Sequence, residues 1–160
     1  MKNKFIGLIG LLITNIILAS CPGFLPGAYP HFRLKDSKSK SFILKSDDYS
    51  VKISSRRTHH IPLRVEVDIK TNRQLEFYPG NLKILYNDIE LTYSYYGNLE
   101  SNDAIIITSN SKTYFGYDIS AKENEIIVNQ GKELKVCAEN LLFDGDNYID
   151  IDTLNFIIDY

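Results

Sequence analysis

The chain has 160 residues and a formal net charge of −2, with 44% hydrophobic and 24% charged residues. This is the composition of an ordinary globular protein without a long low-complexity tract, and its charge balance leads us to expect no nucleic-acid partner. Tyr is abundant while Trp is absent, and Tyr, Ile and Leu together favour strands over helices.

The first segment in chain order combines a basic head with a short apolar run. Lys2 and Lys4 precede an apolar stretch over 5–18, and Pro22 follows shortly after it. A helix of this length falls short of the roughly 30 Å hydrocarbon core of a bilayer. The pattern therefore favours a cleaved export signal over a membrane span or a buried helix.

The run Leu18-Ala19-Ser20-Cys21, which closes this stretch, resembles the lipobox of bacterial lipoproteins. The resemblance implies that residues 1–20 are a signal peptide removed on export. It also implies that Cys21 carries a diacylglycerol on its thiol and a further acyl chain, such as palmitate, on its new amino terminus. The expected partner is then a lipid bilayer of the bacterial cell envelope, with the outer membrane favoured because Pro22, and not Asp, follows Cys21. The resemblance supplies an address and an anchor but no activity.

The next segment, 21–40, is rich in Pro and Gly at first and basic later, and it predicts a flexible tether. Residues 41–160 are of a length that usually forms one domain with one core. The charge is uneven: 21–73 contains 11 Lys and Arg against 5 Asp and Glu, whereas 74–160 contains 5 against 15. The basic half is therefore expected to face anionic headgroups, unless the charges only form a mixed solvated surface.

Short strands are predicted along the whole domain. The clearest is 63–69, where Leu63, Val65, Val67 and Ile69 alternate with charged residues, a signature of a half-buried strand. Similar runs lie at 42–45, 49–53, 75–78, 82–86, 89–95, 104–108, 113–119, 125–128, 134–138 and 148–158. Turn residues separate them, and a further turn at 152–153 splits the last run. The spacing predicts an all-β fold, an immunoglobulin-like antiparallel β-sandwich, with a small β-barrel as the alternative.

The two cysteines allow two mutually exclusive interpretations. If Cys21 is joined to lipid, Cys137 has no disulfide partner within the chain; otherwise the two form a bridge. Cys137 is out of phase with Leu134, Val136 and Ala138, so we expect its thiol on the face of the strand opposite theirs. A sheltered, inert thiol is favoured over a reactive one.

An acidic segment near the end of the chain suggests a metal site. Asp144, Asp146 and Asp150 offer oxygen ligands of the kind that calcium prefers, although the order of residues departs from a calcium loop. The alternative is an extended segment in which Ile149 and Ile151 point inward while the aspartates face water.

Three further residues are candidate ligand contacts. Arg56 and Arg57 suit a headgroup or another anionic ligand, and Tyr96, beside Gly97, is the tyrosine of its cluster that we expect to be exposed. Tyr93 and Tyr95 are expected in the core because they share the parity of Ile89 and Leu91 in the predicted strand.

No catalytic motif is recognisable in the sequence, so we expect a protein that is not an enzyme and needs no cofactor. Two functions remain open. One is an envelope lipoprotein whose sandwich binds a protein partner or joins an assembly. The other is a lipoprotein that captures a glycan, a lipid or a metal.

Overall fold

The computed structural model describes residues 31–58, 61–96, 103–120 and 132–159, and these residues form an all-β fold of antiparallel sheets. Within these ranges there is no α-helix, and none of their segments could cross a bilayer as a helix. The signal segment, Cys21 and the strand predicted at 125–128 lie outside the described residues.

The strands form three sheets. The first contains, in spatial order, β1 (His31–Leu34), β13 (Leu154–Asp159), β11 (Glu133–Cys137), β6 (Lys83–Tyr86) and β7 (Ile89–Glu90). The second contains β2 (Ser41–Lys45), β3 (Tyr49–Thr58), β4 (Ile61–Thr71), β10 (Ser111–Ile119) and β8 (Tyr93–Tyr96). The third contains β12 (Leu142–Phe143), β5 (Leu75–Phe77) and β9 (Ile105–Ile107), and a 3-10 turn at Pro79–Asn81 leads from β5 to β6.

One hydrophobic core joins the sheets. Val65 and Val67 of β4 are completely buried, and so are Val136 of β11 and Phe156 of β13. Val65 and Val67 share a face because successive residues of a strand point to opposite faces. Burial of each such side chain contributes roughly 1.5–3 kcal/mol to the free energy of unfolding. The predicted β-sandwich is confirmed. The alternative of a barrel is wrong, because the sheets of the described residues are open, with β1 and β7 or β2 and β8 at their edges.

Tyrosines fill one region of this core. Tyr117 is completely buried, and the rings of Tyr93 and Tyr95 meet it edge to face with centroids 5.1 and 5.6 Å away. The hydroxyl of Tyr93 donates to the carbonyl of Leu82 at 2.7 Å, and that of Tyr117 to the carbonyl of Pro79 at 3.2 Å. Burial raises the pKa of Tyr93 and of Tyr117. Tyr93 and Tyr95 are partly buried and pack against the core, but Ile89, whose parity they were expected to share, is 68% exposed and lies on β7.

The predicted tether is wrong from His31 onward. Residues 31–34 form β1, which pairs with β13 so that Phe32 lies opposite Ile158, and both side chains are buried. All four described ranges belong to one compact unit, which includes β1. The sequence pattern misses β1 because Phe32 is its only fully buried side chain, so the strand shows no apolar repeat.

Candidate functional site

Three aromatic side chains come together on the outer face of the third sheet. The ring of Tyr148 lies 5.9 Å from that of Tyr78 and 5.1 Å from that of Phe143, measured between centroids. Tyr148 is 48% exposed, while Tyr78 and Phe143 are half-buried. We call these three residues the aromatic patch. Such a group is informative because large apolar side chains on a protein surface are usually scattered singly.

A carboxylate lies beside the aromatic patch. In the register of the third sheet Glu76 is opposite Phe143 on one side and Ile106 on the other, and Ile106 is 51% exposed. The hydroxyl of Tyr78 donates to a carboxylate oxygen of Glu76 at 2.6 Å. This hydrogen bond is the main reason why the pKa of Tyr78 is raised to about 12. The surface therefore combines exposed apolar area with one directional polar pair.

The turn before Tyr148 holds that residue in position. A carboxylate oxygen of Asp144 accepts hydrogen bonds from the backbone N–H groups of Asp146, at 3.0 Å, and Asn147, at 2.9 Å. Its other oxygen pairs with Arg73. Gly145 adopts a φ of +98°, which a side chain would strain. These contacts order the turn in the folded protein. Binding at Tyr148 would therefore not include the entropic cost of ordering the turn.

The three aspartates do not form the predicted metal site. Asp144 already uses both of its oxygens within the turn, while Asp146 and Asp150 are exposed. Across the described ranges, no group of three or more His, Cys, Asp and Glu residues is arranged to hold a metal ion. Ile149 and Ile151 are buried, as the alternative interpretation of this segment predicts. The backbone N–H groups of the turn, followed by Arg73, lower the pKa of Asp144.

A network of charged side chains covers part of the outer face of the second sheet. Arg64 donates from Nε to Oδ1 of Asp118 at 2.5 Å and from Nη2 to Oδ2 at 2.9 Å. Arg56 pairs with Glu66, which also accepts a hydrogen bond of 2.8 Å from the hydroxyl of Tyr114. Arg64 and Glu66 are buried although they project away from the core. Buried charges of this kind persist because each has a partner.

The predicted ligand contacts therefore have mixed outcomes. Arg56 is engaged with Glu66, and Arg57 is half-buried with a partner of its own. Tyr96 ends β8, but its side chain lies outside what the structure describes, as does Cys21. The guanidinium groups of Arg56 and Arg64 bind carboxylates of the same sheet. The network therefore contributes to the structure of the sheet.

Cys137 lies where its phase predicts. Leu134, Val136 and Ala138 are buried in the core, while Cys137 is half-buried on the other face of β11. It carries a free thiol, and the hydroxyl of Thr153 lies 3.7 Å from its sulfur. The expected face of the strand is confirmed.

No local pattern in the sequence indicates the aromatic patch as a whole. Its members are separated by up to 70 positions, and Tyr78 and Tyr148 each stand at the end of a predicted run, next to a turn. The one local indication of the patch is that Tyr78 and Tyr148 each lie beside turn-forming residues. Comparison with family models, curated proteins and solved structures finds no match to this chain.

Proposed function

We propose that this protein is a lipoprotein of the bacterial envelope, anchored through acylated Cys21, whose β-sandwich binds a protein partner and catalyses no reaction. The observation that carries the binding part is the aromatic patch with Glu76 beside it. The anchor follows from the resemblance of Leu18-Ala19-Ser20-Cys21 to a lipobox, since two or more acyl chains are needed for stable attachment to a bilayer.

The chemistry of the aromatic patch favours a protein partner. Tyr and Phe are enriched at protein interfaces because they bury a large area at a small cost in side-chain entropy. Ile106 adds exposed apolar surface, and the pair of Tyr78 and Glu76 adds a polar contact that fixes orientation. The ordered turn before Tyr148 reduces the entropic cost of association.

A glycan is the alternative ligand, because aromatic rings and a carboxylate also occur where proteins hold sugars. The rings of Tyr78 and Phe143 are tilted by 59° and 56° from that of Tyr148. They therefore offer no common flat surface on which a sugar ring could stack. The tilt suits side chains of a protein partner that insert between the rings.

Site-specific photocrosslinking in the native host tests the binding part. A photoreactive phenylalanine analogue replaces Tyr148 in one variant and Ile89 in the control, because Ile89 is also exposed but lies on β7, the edge strand of the first sheet. We expect one dominant crosslinked protein with the probe at 148 and none with the probe at 89. Equal crosslinking from both positions, or none from 148, would contradict the proposal.

A titration with oligosaccharides from the envelope separates the two ligand classes. With a protein partner, the ring signals of Tyr148 should not shift on addition of the sugars. Saturable shifts that disappear in Tyr148→Ala would favour the glycan alternative instead.

Mass spectrometry of the amino-terminal peptide tests the anchor. Cys21 should be the first residue and should carry a diacylglycerol, and Cys21→Ala should move the protein out of the membrane fraction. A native protein that retains residues 1–20 with an unmodified Cys21 would refute the anchor.

A further inference from the structure

The outer face of the second sheet has two halves that differ in charge. In one half the charged side chains bind one another, as in the pairs Arg64–Asp118 and Arg56–Glu66. In the other half, lysines project from four adjacent strands. We call this group the lysine patch, and its members are Lys45 of β2, Lys52 of β3, Lys70 of β4 and Lys112 of β10.

The strand register brings these lysines together with few acids nearby. Lys52 lies directly opposite Asp68, and Asp47 and Asp48 follow Lys45 in the loop after β2. Lys70 lies directly opposite Lys112, and Ser50 lies between Lys70 and Lys45. Like charges on opposite positions of neighbouring strands destabilise a sheet. None of the four lysines makes an ion pair with a carboxylate in the described part of the chain.

A shallow depression of about 270 Å³ lies over the lysine patch. All four lysines line it with Asp68 as the only acidic residue, so the lining carries a net charge of +3. Three of the lysines come from the basic part of the chain, whereas Lys112 comes from the acidic part. The fold thus assembles a concentration of positive charge that neither part contains alone.

We propose that the lysine patch binds the anionic headgroups of a phospholipid bilayer, so that the second sheet lies against the membrane. The patch spans four strands, about 14 Å at the usual strand spacing, and its lysines are hydrated point charges on flexible stems. Such an arrangement matches a layer of charge better than a single bound anion. Each lysine near an anionic leaflet increases binding roughly fivefold, so a net charge of +3 corresponds to about 100-fold.

Two further observations favour a membrane as the occupant. Ile43 lines the same depression from the edge strand β2 and is 52% exposed, which suits the apolar boundary beneath the headgroups. Residues 21–30 precede β1, and an extended chain of this length reaches at most roughly 35 Å. This second argument rests on the proposed acylation of Cys21, because only an anchored chain would be held that close to the bilayer.

Amine labelling of the full-length protein on vesicles tests the proposal. The protein is mixed with vesicles of phosphatidylcholine or with vesicles that also contain phosphatidylglycerol, and the labelling rate of each lysine is measured by mass spectrometry. On the anionic vesicles we expect Lys52 and Lys70 to react at least about fivefold more slowly. Lys83, on the outer face of the first sheet, should react equally on both. Salt of about 1 M, which shortens the Debye length to roughly 3 Å, should abolish the protection.

Two double variants with the same net charge provide the control. In Lys52→Gln/Lys70→Gln, the anionic vesicles should no longer protect Lys45 and Lys112. In Lys83→Gln/Lys135→Gln, which changes the first sheet, the protection of Lys45 and Lys112 should remain. Equal loss of protection in both variants would show that only total charge matters and would overturn the proposal.

The remaining outcomes are also decisive. Equal labelling of the patch on neutral and anionic vesicles refutes membrane binding, and protection by soluble polyphosphate but not by vesicles assigns the patch to another anion. The mass of the peptide that contains Cys21, measured in the same samples, reports acylation separately. A failed anchor and a failed lysine patch therefore give different results.

Discussion

The substitution Asp118→Asn should destabilise the domain because it leaves the charge of Arg64 without its counterion. The side chains of Arg64 and Asp118 are only 8% and 20% exposed, and two hydrogen bonds join them. Asn keeps the shape but removes the negative charge and places an NH₂ donor where one oxygen accepted. A hydrogen bond to a charged group contributes roughly 1.5–3 kcal/mol, and breaking a buried pair costs roughly 3–5 kcal/mol. Since water reaches part of Asp118, we expect a loss of about 2–3 kcal/mol in the free energy of unfolding.

Removal of the other partner, Arg64, should lower the free energy of unfolding by less. Arg64→Met leaves Asp118, the more exposed partner, free to turn toward water, and Met fills part of the space, so a loss of about 1 kcal/mol is expected. The double variant Arg64→Met/Asp118→Asn should resemble Arg64→Met alone, which corresponds to a coupling energy of about 2 kcal/mol.

Urea unfolding of the full chain in a non-ionic detergent, followed by circular dichroism, measures these differences. Asp150→Asn is the control, because Asp150 is exposed and has no ion pair among the described residues, and its change should stay within about 0.5 kcal/mol. If Asp118→Asn were as mild as this control, or if the two single effects simply added, the assignment of a coupled buried pair would be wrong.

Three further predictions concern the core and the candidate site. Phe77→Ala should lower the free energy of unfolding by about 3–5 kcal/mol, because Phe77 is completely buried, and the same urea titration measures it. The carboxyl of Asp144 should titrate below its usual range in an NMR pH series. Its stabilising contribution is then present above the unfolded pKa of about 3.9 and is lost as the pH falls through the folded pKa; stability that falls with the same pH profile in Asp144→Asn would contradict this. Glu76→Gln should bring the pKa of Tyr78 down from about 12, as seen in the ring carbon shifts of labelled tyrosine, and an unchanged value would exclude Glu76 as the cause.

The sequence alone predicts most of the strands and the faces they bury, but it misses β1 and β12 and merges β7 and β8, which belong to different sheets, into one run. In β4, Val65 and Val67 point into the core as their alternation predicts, because the direction of a side chain along a strand depends only on its position. Turn chemistry is equally local. Asn87 and Asp88, predicted as a turn, adopt φ values of 50° and 63° between β6 and β7, which short polar side chains tolerate in tight hairpins.

The pairing of strands determines which side chains become neighbours at each candidate site. Arg64 meets Asp118 across 54 positions, and Lys70 meets Lys112 across 42, because β4 and β10 are neighbours in one sheet. In the same way, pairing of β12 with β5 places Phe143 beside Glu76. Backbone hydrogen bonds between strands are alike for every residue type, so no local pattern indicates which distant strands will pair. The side-chain neighbours on the outer faces, and with them the aromatic patch and the lysine patch, therefore exist only in the folded protein.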